Sequence, residues 1–212
     1  MRRHQSGFTL IEIAIVLVII GLLLGGILKG QELINSARVK SLAADFRNVP
    51  IFIYGYQDKF KALPGDDGGV IAHVGNLGIL ATTGGPTGNG VIGGAWDSTT
   101  QTDESYLFWQ HVRLAGLAPG STDTAVPAVY APLNALSGRI GIQSAAPFTG
   151  LNGSYFICSA NIPGKYARQL DILLDDGNSA TGSMMAGPTA NGTTGGTTPL
   201  VDATPYTVCM GF

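Results

Sequence analysis

Between Phe8 and Leu28 the chain is apolar except for one ionisable side chain, Glu12. A carboxylate there costs little in a lone membrane helix, because it lies only ~6 Å from the start of the run and can reach lipid headgroups. It becomes expensive when such helices pack together away from water, and then it needs a cation. An apolar seam alone lets helices slide, so a paired Glu12 would fix their register. The plainer alternative is an interfacial glutamate tolerated in an ordinary anchor. Gly21 and Gly25, with Gly26 beside them, add a small-xxx-small spacing that lets helix backbones approach closely.

Other residues of chemical interest lie further along. Cys158 and Cys209 are the two cysteines, enough to close one loop, and a bridge would pin YTVCMGF to SYFICSA in an oxidising compartment. The alternative is a pair of buried thiols. Asp171, Asp175 and Asp176, with Asn178, offer the hard oxygen ligands that calcium takes, though without EF-hand spacing. A solvated helix end with an Asp-Gly turn explains the same residues. Gly88-x-Gly90-x-x-Gly93 spells a dinucleotide fingerprint, but TTGGPT precedes it and GAWDSTT follows, so it reads as a turn. Of the histidines, His4, His73 and His111 are scattered, and His111 reads as a core or edge residue of a helix. No serine or cysteine is placed with a base by a recognisable motif, so the chain reads as a non-enzyme with no cofactor firmly required.

The elements that must carry these residues follow from pattern. Phe8 to Leu28 is 21 residues, about 31 Å as a helix, which matches a bilayer core. Arg2 and Arg3 precede it, so the N-terminus is expected in the cytoplasm and the remainder outside the membrane. From residue 29 to 63 an amphipathic stalk follows, with Leu42, Phe46, Val49, Ile53, Tyr56 and Phe60 on one face that needs a cover. Pro50 predicts a kink or a break in it, and Leu63-Pro64-Gly65 its end. After Gly65 come 24 of the 31 glycines, which indicates a loop-rich head over residues 64–212. Helices are expected at Asp103 to Leu117 and Tyr166 to Leu174. Strands are expected at Ala125 to Leu133, Arg139 to Gln143, Ser154 to Ala160, Gly182 to Ala186 and Tyr206 to Phe212. Together they predict an α+β fold, an antiparallel sheet laid on the stalk. Gly187 to Thr198 reads as a surface loop.

Charge is distributed unevenly. Residues 29–65 hold six basic side chains against three acidic, and the segment from Asp66 on holds four against ten. An acidic head argues against nucleic acid as a partner, because phosphate binding needs clustered Lys and Arg.

The sequence Gly7-Phe8-Thr9-Leu10-Ile11-Glu12, with its short basic leader and uninterrupted apolar helix, resembles the prepilin processing motif of type IV pilins and type II secretion pseudopilins. The words LPGDD, GNG, WQHVRLAGL and LDDG also resemble those of a subgroup of bacterial prepilin-like proteins. The resemblance implies a leader over residues 1–7, cleavage between Gly7 and Phe8 by a prepilin peptidase, and N-methylation of Phe8. It also implies an assembly helix over residues 8–28 and assembly through an inner-membrane platform protein and a cytosolic ATPase. The amino group freed at Phe8 is the natural cation for Glu12, on the same chain or the next. Many pilins have a proline soon after the position of Gly21, where this chain has Leu28-Lys29-Gly30. The calcium-bearing loop of major pseudopilins does not align onto the acidic segment at Asp171, so that reading rests on these residues alone.

The expected function is thus that of a filament subunit of a type IV pilus, a homopolymer of this chain with related pilins. Its expected location is the bacterial inner membrane, with a single pass and a periplasmic head, and then the filament. The alternatives are a pseudopilin of the type II secretion system, or a minor tip subunit whose head contacts a surface, DNA or a secreted substrate.

Overall fold

The computed structural model describes residues 10–212. Arg2, Arg3, His4 and the Gly7–Phe8 junction lie outside the described residues. The chain divides into two units, one ending at Arg38 and one running from Val39 to Phe212.

Helix α1 spans Leu10–Phe60 and contributes to both units. In the first unit its side chains are uncovered: Leu10 is 92% exposed and Leu22 73%. A stretch this apolar and this open to its surroundings is long enough to cross a membrane. In the second unit Val39, Leu42, Ala43, Phe46, Val49, Ile53 and Tyr56 of α1 are all buried. Their three-and-four spacing forms one stripe, and burial of each large member is worth about 1.5–3 kcal/mol. Phe60 completes the stripe, partly buried against the same core.

Pro50 lies inside α1, and the helix continues through it. Of the kink or break expected at Pro50, the break is therefore corrected. Pro50 cannot donate to the Phe46 carbonyl, but Phe46, Val49 and Ile53 are buried on either side of it, and packing holds a helical path that propensity alone would lose. The helix ends at Phe60, earlier than Leu63-Pro64, because Lys61 turns left-handed at φ 55° while its amide bonds back to Gln57.

The rest of the second unit comprises α2 (Val70–Val74), α3 (Glu104–Leu114), α4 (Pro127–Tyr130), β1 (Ile140–Gln143), β2 (Phe156–Pro163), α5 (Gly164–Leu174), β3 (Met184–Gly187) and β4 (Pro205–Gly211). The strands form one antiparallel sheet in the order β1-β2-β4-β3. With α1 this is the α+β, pilin-like arrangement that the sequence predicts. Alternation along the strands sends side chains to two different cores. Ile157, Met184, Ala186 and Val208 join the stripe of α1, whereas Phe156, Cys158, Met185 and Cys209 pack with Trp96, Phe148 and Leu151. Both faces of the sheet are thus covered, which is why β1 and β3 are buried along their whole length.

One expected strand is overturned. Ala125 to Leu133 contains α4, a single helical turn. Apolar residues dominate that stretch, but Pro127 and Pro132 lack the N–H that a ladder needs, and Pro127 suits a first helical position. The buried Tyr130 then anchors the turn through a hydrogen bond from its hydroxyl to the Tyr106 carbonyl at 2.8 Å. Only Leu133 pairs as a strand would, in an isolated bridge with Arg139. The short α2, beside the Gly68-Gly69 pair, was not anticipated.

Candidate functional site

Glu12 lies in the first turn of α1, on the uncovered apolar segment. Gly21 and Gly25 follow on that segment, and a Cβ at either would meet nothing within 4 Å. No residue from 10 to 38 is buried among the described residues. An apolar surface of this extent is a site for lipid or for other helices. The cleavage junction Gly7–Phe8 and the N-methylation position fall outside the described residues, so the geometry bears on Glu12, Gly21 and Gly25 alone.

In the second unit, the turn after α1 gathers polar groups that sequence spacing did not connect. Tyr56 of α1 donates its hydroxyl to Asp67 Oδ2 at 2.6 Å. His73 Nδ1 lies 2.7 Å from the same oxygen, and the Gly69 amide donates to Asp67 Oδ1 at 2.8 Å. Burial pushes the Asp67 carboxyl up, but the donors Tyr56, His73 and Gly69 outweigh it and hold the group below the usual carboxylate range. Burial, with Asp67 as partner, pushes the Tyr56 phenol up. His111 sits in the core as expected. Its Nδ1 accepts from the Gly65 amide at 2.9 Å and its Nε2 donates to the Ile79 carbonyl at 2.8 Å, which describes a neutral ring. Burial holds its pKa down.

The Gly88-x-Gly90-x-x-Gly93 segment does present backbone amides to an anion, and the anion is internal. The buried carboxylate of Asp66 accepts from the amides of Gly88 and Asn89 through Oδ1, and from Gly90 through Oδ2 at 2.7 Å. Glu104 at the start of α3 accepts from the Gly93 amide at 2.7 Å. These donors are committed to the fold, so the segment is a structural turn, as predicted, and not a phosphate cradle. Burial pushes the Glu104 carboxyl up; the Gly93 amide opposes this, and Asp66 and Asp103 add to it. The sequence signal for this network was the pair of short words LPGDD and GNG, whose mutual contact no spacing rule foretold.

Asp45 occupies a different position. It lines a groove of about 210 Å³ with Val49, Phe52, Trp109, Pro132 and Leu133. Burial pushes its carboxyl up to about 6.

The three C-terminal aspartates do come together, with carboxylate oxygens within 4.8 Å of one another. Asp171, on α5, is 1% exposed and accepts the Gly177 amide through Oδ1 at 2.6 Å. Asp175 accepts from the Ser183 hydroxyl and the Met184 amide, both at 2.8 Å. Asp176 accepts from the Asn178 amide at 2.7 Å and the Thr181 hydroxyl at 3.0 Å. Burial pushes the Asp171 carboxyl up to about 6; the Gly177 amide opposes this and the charges of Asp176 and Asp175 add to it.

Cys158 and Cys209 form a disulfide. They are directly opposite one another in the β2–β4 pair, with Cα atoms 4.1 Å apart, the close spacing of a non-hydrogen-bonded antiparallel pair. The bridge therefore ties the two central strands of the sheet.

The family model of the prokaryotic N-terminal methylation motif matches residues 2–28. That motif is the signature of type IV pilins and pseudopilins. No curated protein and no solved structure matches the chain.

Proposed function

We propose that this chain, which carries the type IV pilin and pseudopilin signature at residues 2–28, is a structural subunit of a type IV pilus-like filament and not a catalyst. The observation that carries the reading is the pairing of that signature with an uncovered apolar helical run, residues 10–28, whose one carboxylate is Glu12. A prepilin peptidase cuts between Gly7 and Phe8 and methylates Phe8. The freed amino group then supplies the cation that Glu12 needs once helices leave lipid for a packed bundle. Pairing with the amino group of a neighbouring subunit fixes axial register, and Gly21 and Gly25 let the backbones approach.

Before assembly the apolar segment holds the subunit in the inner membrane, its basic leader on the cytoplasmic side and its disulfide-bonded second unit in the periplasm. The disulfide supports that placement, because such a bond persists in an oxidising compartment. Partners on this reading are further copies of the chain, related pilins, the peptidase, and indirectly the platform protein and its ATPase. The same chemistry serves an extracellular pilus and a periplasmic pseudopilus.

The test expresses wild type and Glu12→Val, each with and without a prepilin peptidase, and quantifies sheared filaments against membrane-bound protein. Intact mass then reports cleavage and methylation. Wild type with peptidase is expected in the sheared fraction, cleaved and methylated at Phe8, and the other three in the membrane. Filaments formed equally well by Glu12→Val or by uncleaved protein would reject the assembly role.

A further inference from the structure

Glu104 opens α3 in the protein interior, fully buried, and its two oxygens have unequal surroundings. Oε2 accepts the Gly93 amide at 2.7 Å, whereas Oε1 is buried and receives no hydrogen bond. An ionised carboxylate has nothing to donate and needs acceptor bonds at both oxygens when it leaves water, so the arrangement around Oε1 does not suit a charge.

The neighbour of that group is a second carboxyl. Asp66, 2% exposed, lies within hydrogen-bonding reach of Glu104. Both Asp66 oxygens already accept, Oδ1 from the amides of Gly88 and Asn89 and Oδ2 from Gly90. Three N–H groups aimed at one side chain suit a carboxylate, which only accepts. Two carboxyls in contact away from water cannot both stay charged, and a bond between them requires a proton on one.

The other groups around Glu104 do not supply a balancing cation. Asp103, the residue before α3, adds negative charge and is held by the Thr83 and Ser98 hydroxyls. Asp67 is committed to Tyr56 and His73, and His111 on α3 is a neutral ring bonded to Gly65 and Ile79. The ion pairs among the described residues, Lys29–Glu32, Asp58–Lys61, Asp67–His73 and Arg168–Asp202, include neither Asp66 nor Glu104. Packing leaves little room for rearrangement, since a Cβ at Gly93 would lie 1.9 Å from the Gly84 carbonyl oxygen and 3.1 Å from Glu104 Oε2.

We propose that Asp66 and Glu104 share a single proton at neutral pH, carried on Glu104 Oε1 and donated to Asp66. The bond gives Oε1 its partner and clasps three segments together: the loop after α1, the Gly88–Gly90 turn and the first turn of α3. Burial pushes the Glu104 carboxyl up, the Gly93 amide opposes this, and the charges of Asp66 and Asp103 add to it, which agrees with the geometry. The clasp makes the second unit sensitive to acidity. The folded state keeps a proton that the unfolded chain releases, so the contribution is fully present below about pH 4 and is lost as pH rises through the folded pKa. The inference is independent of the filament reading, and its test uses unassembled protein.

The chain has three glutamates, Glu12, Glu32 and Glu104, so full-length protein in detergent, labelled with carbon-13 at the glutamate carboxyl, is read by NMR without crowding. Glu104→Gln assigns its signal by loss, and Glu12→Val with Glu32→Gln assigns it by elimination if Glu104→Gln fails to fold. At pH 7 the Glu104 carboxyl is expected at the position of a protonated acid, and an ionised position there would overturn the shared proton. Thermal melts give a second readout, because Glu104→Gln keeps an N–H for Asp66 and an oxygen for Gly93 but cannot titrate. Its Tm is expected to match wild type near pH 4 and to exceed it at pH 7, the gap opening by roughly 3–5 °C per pH unit up to the folded pKa. A gap unchanged between the two pH values, or a variant that melts below wild type at both or does not fold, would overturn the clasp.

Discussion

The hydroxyl of Tyr56 and the carboxylate of Asp67 meet at 2.6 Å in the protein interior, joining the last turns of α1 to the loop that follows it. A stalk residue thereby becomes part of the hydrogen bonding that folds the second unit. Tyr56→Phe keeps the ring in the apolar stripe and removes one donor from a buried charge. The expected loss is about 1.5–3 kcal/mol, the range for hydrogen bonds to charged groups, read from urea unfolding at neutral pH.

The same carboxylate sets an acid limb. The folded pKa of Asp67 lies below its ordinary value, so the folded state binds fewer protons than the unfolded state in that range. Its contribution is present above about pH 4 and is lost as pH falls through the folded pKa. Unfolding followed at a series of acid pH values should show this limb in wild type and a shallower one in Tyr56→Phe. An equally steep limb in both would remove Tyr56 from the network.

Asp45 works in the opposite direction. Its folded pKa of about 6 lies above the unfolded value, so the folded state binds more protons and stability falls as pH rises between about 4 and 6. Asp45→Asn is expected to stabilise the protein by on the order of 1–2 kcal/mol at pH 7.5, after allowing for solvent screening, and to have no such effect near pH 4. Thermal melts at the two pH values check the sign.

The disulfide closes a loop with a sequence separation of 51, which in the chain-entropy model contributes roughly 4 kcal/mol. Cys158→Ala with Cys209→Ala is expected to lose at least that much, because both sulfurs are fully buried and their removal also opens a cavity. Urea titration of the double variant against oxidised wild type measures it. A loss under about 1 kcal/mol would contradict the assignment of the bridge to the centre of the sheet.

The two halves of α1 should respond differently to truncation. Phe46 is fully buried and Leu22 is 73% exposed. Phe46→Ala is expected to destabilise the second unit by about 3–5 kcal/mol, whereas Leu22→Ala should leave its unfolding unchanged and reduce recovery in sheared filaments. Differential scanning of detergent-solubilised protein, with the shear assay alongside, separates the two effects.

What the sequence determined by itself was local. One carboxylate in an apolar run, a glycine before a phenylalanine, and a stripe repeating every three or four residues need no long-range contact to be read. They indicated the processing signature and the buried face of α1, and short apolar runs between turn residues indicated the four strands of the sheet along with a fifth that the structure lacks. Locality also misled: Pro50 looked like a break, and the apolar text around Pro127 looked like a strand. Packing overrode the first, and missing N–H donors the second.

Only the tertiary structure decided which distant groups meet. Asp66 finds amides of Gly88 to Gly90, Asp67 finds Tyr56 and His73, and Glu104 finds the Gly93 amide. Each pairing depends on loop closure and strand register, and these are set by the packing of the whole core. A hydrogen bond between residues far apart in the chain leaves no periodic trace in the sequence.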